Sequence, residues 1–200
     1  MLKPLEVLQS YREHDYTLCD AYDSRMPGND RPFAVFRDRS WSRDAFKEDY
    51  LAAARLLVAR GIQRGDRVGI LARNNIGHLL MLFACARIGA IMVPANPDLK
   101  AAEVGYIFQH ACVSAVLCDK KLLSVVHEAC LPLSPGPWCL PFDEEDASAP
   151  SLMGLIKAIP QSELPLPAHA DDTCLIIYTS GTTGFPKGAM HSQRSFVTSG

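Results

Sequence analysis

Residues 173–188 read Thr173-Cys174-Leu175-Ile176-Ile177-Tyr178-Thr179-Ser180-Gly181-Thr182-Thr183-Gly184-Phe185-Pro186-Lys187-Gly188. The first six form a short apolar run with β-branched and aromatic members, which predicts a buried strand over 173–178. The chain then enters a loop of hydroxyls and glycines and delivers one lysine. Each residue type suits a polyphosphate ligand. Gly181, Gly184 and Gly188 let the backbone approach closely and adopt positive φ. Successive N–H groups then form an anion-binding concavity. Thr179, Ser180, Thr182 and Thr183 add neutral donors, and Lys187 adds a mobile positive charge. Pro186 stiffens the approach to that lysine through its fixed φ.

The pattern differs from the P-loop of the common NTPases, which has a Gly, four residues, then Gly-Lys-Ser/Thr. Counted from Gly181, the Gly-Lys positions hold Pro186 and Lys187; counted from Gly184, they hold Ala189 and Met190. A Walker-type ATPase or GTPase is therefore disfavoured. Ser/Thr/Gly composition more commonly marks a flexible linker. The strand in front and the Phe-Pro-Lys-Gly ending argue for a phosphate loop instead.

Working outward, three strand–helix units precede this stretch. The predicted strands are Val68–Leu71, Ala90–Val93 (stopped by Pro94 and Pro97) and Val113–Leu117. Their helices are Asn75–Ile88, Lys100–His110 and Lys120–Ala129. Near-continuous apolar strands alternating with helices imply an α/β fold: a mainly parallel sheet with helices on both faces and right-handed crossovers. Further upstream, Ser42 opens an amphipathic helix with Phe46, Tyr50, Ala53, Ala54, Leu57 and Val58 on one face, and Gly61 is placed to end it. The stretches Phe33–Phe36 and around Trp41 read as a small hairpin. Residues 4–26 are predicted helical, with Thr17 capping a second segment.

Composition sets limits. The chain of 200 residues is 48% hydrophobic and 21% charged, ordinary for a globular protein. A net charge of −2 gives no electrostatic reason to expect nucleic acid or an anionic membrane as partner. The N-terminus lacks the apolar core of a signal peptide. The longest apolar stretch, Ile76–Ala95, is interrupted by His78, Arg87, Gly89 and Pro94, too broken for a transmembrane span. Seven cysteines form no Cys-x-x-Cys pair and sit mostly among apolar neighbours as small hydrophobes, so a reducing, cytoplasmic compartment is expected. His110 with Cys112 and His127 with Cys130 lack the second pair that zinc-like spacing needs, so they read as ordinary helix and strand residues. Residues 131–170 hold eight of the fourteen prolines, with a short strand at Trp138–Leu140 and a short helix at Leu152–Ile159. The run Asp143-Glu144-Glu145-Asp146 reads as a solvated loop.

The eleven residues from Tyr178 to Gly188 resemble the phosphate-loop signature of the adenylate-forming (AMP-dependent) acyl-CoA synthetases, a family that includes peptide-synthetase adenylation domains and firefly-type luciferases. Ser40-Trp41-Ser42, Gly61-Ile62-Gln63-Arg64-Gly65-Asp66-Arg67-Val68 and Arg87-Ile88-Gly89-Ala90-Ile91-Met92-Val93-Pro94-Ala95-Asn96-Pro97 resemble its N-terminal run. The likeness extends from about Phe33 onward and is poor across 131–170.

The resemblance implies a ligase that activates a carboxylic acid, fatty or aromatic, with ATP and Mg²⁺ and passes the acyl group to coenzyme A. It makes Thr179, Ser180, Gly181, Thr182, Thr183, Gly184 and Lys187 ATP-binding residues. None of them is a nucleophile or general base, so none is assigned as catalytic. It also implies that residues 1–200 are the N-terminal part of the AMP-binding domain. The rest of the large domain and the small C-terminal domain, with the adenine, metal and adenylation-lysine sites, would lie beyond Gly200. The alternatives are an adenylation enzyme that loads a carrier protein and a non-enzymatic nucleotide-binding module. A chain that stops within a helix begun after Ser192 argues against the second.

Overall fold

The computed structural model describes residues 14–25, 31–142, 150–179 and 186–199. A two-stranded antiparallel hairpin, β1 (Ala34–Phe36) and β2 (Arg39–Trp41), precedes a six-stranded sheet. That sheet holds β3 (Arg67–Leu71), β4 (Ile91–Ala95), β5 (Val113–Cys118), β6 (Trp138–Pro141), β7 (Thr173–Thr179) and β8 (Lys187–Ser192) in the order β6-β5-β3-β4-β7-β8. All neighbours are parallel except β7 and β8. The helices are α1 (Leu18–Arg25), α2 (Arg43–Ala59), α3 (Ile76–Ile88), α4 (Ala101–Ala111), α5 (Leu123–Cys130), α6 (Leu152–Ala158) and α7 (Gln193–Ser199).

The expected signals set the boundaries. Ser42 caps α2 by accepting the Ala45 amide, and Asn75 caps α3 by accepting that of Gly77. Gly89 ends α3 at φ 74°. Gly61 follows α2 at φ 86°, its amide donating to the Val58 carbonyl. Three expectations need correction. Within the described part of 4–26 the helix begins only at Leu18. Thr17 and Asp20 exchange amide hydrogen bonds and start it there, while His14 docks on α7 through Thr198 (3.0 Å) and the Arg194 guanidinium. Lys120–Leu122 form a 3₁₀ turn before α5. Pro94 does not stop β4, since it pairs with Ile70. Beyond Met92, β4 has a registered partner only on its β3 side, so the missing N–H faces no ladder.

The core lies on both faces of the sheet. Val68, Ile70, Met92, Ala115, Leu117 and Cys174 meet α2, α3 and α6 on one face. Leu71, Val93, Ala95, Val116 and Cys118 meet α4 and α5 on the other. Chain order explains this split. From β3 to β4 the chain steps one way across the sheet through α3. From β4 to β5 it reverses through α4, and a right-handed crossover in the reverse direction lies on the opposite face. Gly69 permits close packing on the second face, because a Cβ there would sit 2.9 Å from the Phe108 ring.

An aromatic cluster joins the N-terminal elements to α3. Phe83 meets Tyr22 at 5.3 Å, Phe46 at 5.3 Å and Tyr50 at 5.4 Å between ring centroids. Phe33 closes the group on Phe46 at 4.6 Å. Phe83 is 3% exposed. Phe83→Ala should lower unfolding free energy by about 3–5 kcal/mol through lost burial and a cavity, read from urea denaturation against the parent chain.

Candidate functional site

β7 enters the sheet at one pair, Met92 with Leu175, and then continues as a ribbon with β8. In that ribbon Thr179 and Lys187 are register partners. Antiparallel partners lie about 4.5–5.5 Å apart and point to the same face. Thr179 and Lys187 therefore form the two feet of the glycine-rich loop, and both are exposed. Ser180, Gly181, Thr182, Thr183 and Gly184 lie outside the described residues, as does the acidic run from Asp143 to Asp146. Lys187 opens a strand, β8, that local sequence reading leaves unassigned. Its register on β7 is a long-range property of the ribbon.

The ribbon is held at its tip by a contact absent from the motif. Tyr178 Oη and His110 Nδ1 share a hydrogen bond of 2.6 Å, linking the residue before the loop's first foot to the last turn of α4. Burial, with Tyr106 and Cys112 nearby, pushes the Tyr178 phenol above its ordinary value, so it keeps its proton at neutral pH. Gly188 departs from the expected backbone conformation. Its φ is not positive among the described residues. It makes room instead: a Cβ there would lie 2.8 Å from Ile176 Cγ2 and 3.1 Å from the Tyr178 ring.

A second locus lies at the carboxyl ends of β3 and β5, where the strand order reverses. Loops leave these strands for opposite faces, the place where open α/β sheets bind ligands. A cavity of about 420 Å³ opens there. Arg37, Arg39, Arg73, Lys120 and Lys121 line it, with Asp119 as their acidic neighbour. Asp119 accepts the Arg73 amide at 2.7 Å, and the Arg73 guanidinium pairs with Asp98 at 2.7 Å. Five cations around one cavity favour an anionic ligand. No local motif marks the cavity, because its basic residues come from β1–β2, the β3–α3 turn and the β5–α5 turn.

A larger cleft of about 540 Å³ separates α1 and α2 from residues 161–168. Its cations are engaged: Lys47 with Asp23, Arg55 with the Ser162 carbonyl, Arg87 with the Pro165 carbonyl. The two arginines fasten that segment, so size alone does not make this cleft the site. Among the described residues no group of three or more His, Cys, Asp or Glu is arranged to hold a metal ion, and no helix is long and apolar enough to cross a membrane.

The sheet, with its strand reversal and a helix layer on each face, is a doubly wound α/β domain. The family model described as AMP-binding enzyme matches residues 23–200, and the chain belongs to that family. A long-chain-fatty-acid–CoA ligase of Thermus thermophilus is 34% identical over 158 residues, covering 78% of this chain and 29% of the relative. A 4-hydroxybutyrate–CoA ligase 2 of Metallosphaera sedula is 29% identical over 175 residues, covering 82% and 32%. The chain thus spans about 30% of the length of these curated relatives. The crystal structure of the anthranilate CoA ligase AuaEII shares the fold, with TM-score 0.80 at 22% identity over 90% of this chain and 35% of that one.

Gly188→Ala should force the Tyr178 ring off His110. Overpacking of this kind costs about 1–3 kcal/mol. Denaturant unfolding checks the loss, and Tyr178 fluorescence or ring NMR signals check the displacement.

Proposed function

We propose that this chain is the N-terminal part of the adenylation domain of an AMP-forming acid–thiol ligase, and that the enzyme converts a carboxylic acid to its coenzyme A thioester. The observation that carries this reading is the pairing of Thr179 with Lys187 across the ribbon, in a chain of the AMP-binding family. ATP, bound with Mg²⁺, would supply the adenylyl group that activates the carboxylate.

This chain's part is to bind and orient. Lys187 stands exposed beside the loop and would neutralise charge on the phosphates as pyrophosphate departs. Thr179 would donate a hydroxyl on the same face. Ser180, Gly181, Thr182, Thr183 and Gly184 would cradle the phosphates with amides and hydroxyls. Tyr178, held by His110, would fix the angle at which the ribbon presents the loop. Adenine, metal and adenylation-lysine contacts would come from the part of the relatives' length that this chain does not span.

The named substrates of the relatives, a long-chain fatty acid and 4-hydroxybutyrate, support a carboxylic acid substrate. The cation-lined cavity between β3 and β5 supports coenzyme A over a carrier protein as acceptor. Coenzyme A carries a 3′-phosphate and a diphosphate that five basic side chains suit, whereas a tethered carrier arm brings a single phosphodiester.

In the full-length enzyme, Lys187→Ala removes one hydrogen-bonded charge contact, worth about 1.5–3 kcal/mol. Acid-dependent ATP–pyrophosphate exchange should fall roughly ten- to hundredfold; unchanged exchange would take the lysine out of the reaction. The double change Lys120→Glu, Lys121→Glu should raise KM for coenzyme A at least about tenfold while leaving exchange near the parent rate. Equal loss in both assays would assign the cavity to ATP, and no change in either would remove it from the site.

A further inference from the structure

Gln193 directly follows β8 and opens α7, yet its side chain is fully excluded from solvent. Its carboxamide oxygen accepts the Leu18 amide at 2.9 Å, and its carboxamide nitrogen donates to the Ala86 carbonyl at 3.0 Å. Both partners are groups that helix ends leave unpaired. Leu18 is the first residue of α1, so its N–H has no acceptor within that helix. Ala86 stands in the last turn of α3, and the Ala90 amide four residues on donates to the Cys85 carbonyl instead. A donor at one helix start and an acceptor at another helix end call for a side chain that accepts and donates at once. A carboxamide does both.

The backbone beside Gln193 closes the base of the β7–β8 ribbon. The Gln193 amide donates to the Asp172 carbonyl at 3.0 Å, and the Arg194 amide to the Ala170 carbonyl at 2.7 Å. These bonds join the end of β8 to the residues just before β7. The Arg194 guanidinium pairs with Asp171 at 2.8 Å and with Asp15 at 2.9 Å. Residues 14–18 therefore bear on the ribbon's base, although they precede the match to the family model, which begins at residue 23.

We propose that Gln193 is a positioning residue for Lys187. It locks the base of the ribbon to α1 and α3, as the bond from Tyr178 to His110 locks its tip. The proposal rests on the reading of Lys187 as a phosphate-binding residue. Gln193 is closed off from solvent and acts through β8, which stays paired with β7 from Ser192 back to Lys187. A ribbon fixed at both ends has one orientation. Released at its base, it pivots about the tip and carries Lys187 with it. A displacement of about 1 Å can cost on the order of a hundredfold in rate.

The test is a double-mutant cycle in the full-length enzyme, read by acid-dependent ATP–pyrophosphate exchange. Gln193→Met keeps the side chain's length and removes both hydrogen bonds. It should lower that rate about tenfold. On a Lys187→Ala background the same change should cost less than about twofold, because the residue it positions is gone. A mere loss of folded enzyme would lower both backgrounds alike. Leu18→Pro removes only the N–H that Gln193 accepts, at a helix position where proline fits. It should cause a smaller loss that again disappears on the Lys187→Ala background. Equal fold-losses with and without Lys187, in either variant, overturn the proposal.

Amide hydrogen–deuterium exchange separates failure of the proposal from failure of the reading beneath it. In Gln193→Met the amides of β7 and β8 should open at least about tenfold faster than in Phe83→Ala, which loosens the core away from the ribbon. If they do not, Gln193 does not hold the ribbon, and the proposal fails whatever the activity. If they do while the parent enzyme shows no acid-dependent ATP–pyrophosphate exchange, the anchoring stands and the phosphate-binding reading of Lys187 is what falls.

Discussion

β3 is buried on both faces, and the rest of the structure depends on that constraint. Val68, Ile70 and Leu71 are fully excluded from solvent, and Gly69 is closed over by Phe108. A strand with no solvent face needs a helix layer on each side. Parallel neighbours joined by right-handed crossovers supply both layers only if the chain reverses direction across the sheet. The reversal separates the loops after β3 and β5 and so opens the cation-lined cavity between them. Burial of a single strand thus leads, through topology, to a cavity lined by five basic side chains.

The ribbon of β7 and β8 answers a different requirement. It sets where the chain leaves β7 and where it returns as β8. The feet are set by the antiparallel register of Thr179 with Lys187. The ribbon is steadied by Ile176 and Tyr178 on the α4 cluster and by the bond from Tyr178 to His110. Gly188 belongs to the same design through the absence of its side chain. The start of β7 is fastened separately. The Asp172 carboxylate accepts the His169 amide at 2.7 Å and the Arg64 guanidinium. Although burial raises the Asp172 carboxyl, these partners outweigh it and hold the group below the usual carboxylate range.

Local signals account well for boundaries and poorly for junctions. Ser42, Asn75, Gly61 and Gly89 act within one turn of where they stand, so caps and terminators are legible residue by residue. Pro94 misleads because its effect depends on which neighbours the strand acquires. The cysteines show the same divide. Seven thiols in apolar surroundings read alike, yet folding divides them into four buried, one exposed and two half-buried.

The sequence by itself determined the alternation of strands and helices, the parallel sheet covered on two faces, and the contiguous glycine- and hydroxyl-rich motif with Lys187 at its end. These follow from periodicity, caps and a contiguous motif, all written within short stretches of chain. Only the tertiary structure decided that Thr179 and Lys187 face one another, that His110 holds Tyr178, that Gly188 serves the Tyr178 ring, and that Arg37, Arg39, Arg73, Lys120 and Lys121 converge. The physical reason is separation along the chain. His110 and Tyr178 are 68 residues apart, and side chains so distant meet through strand order and register, which no local pattern encodes.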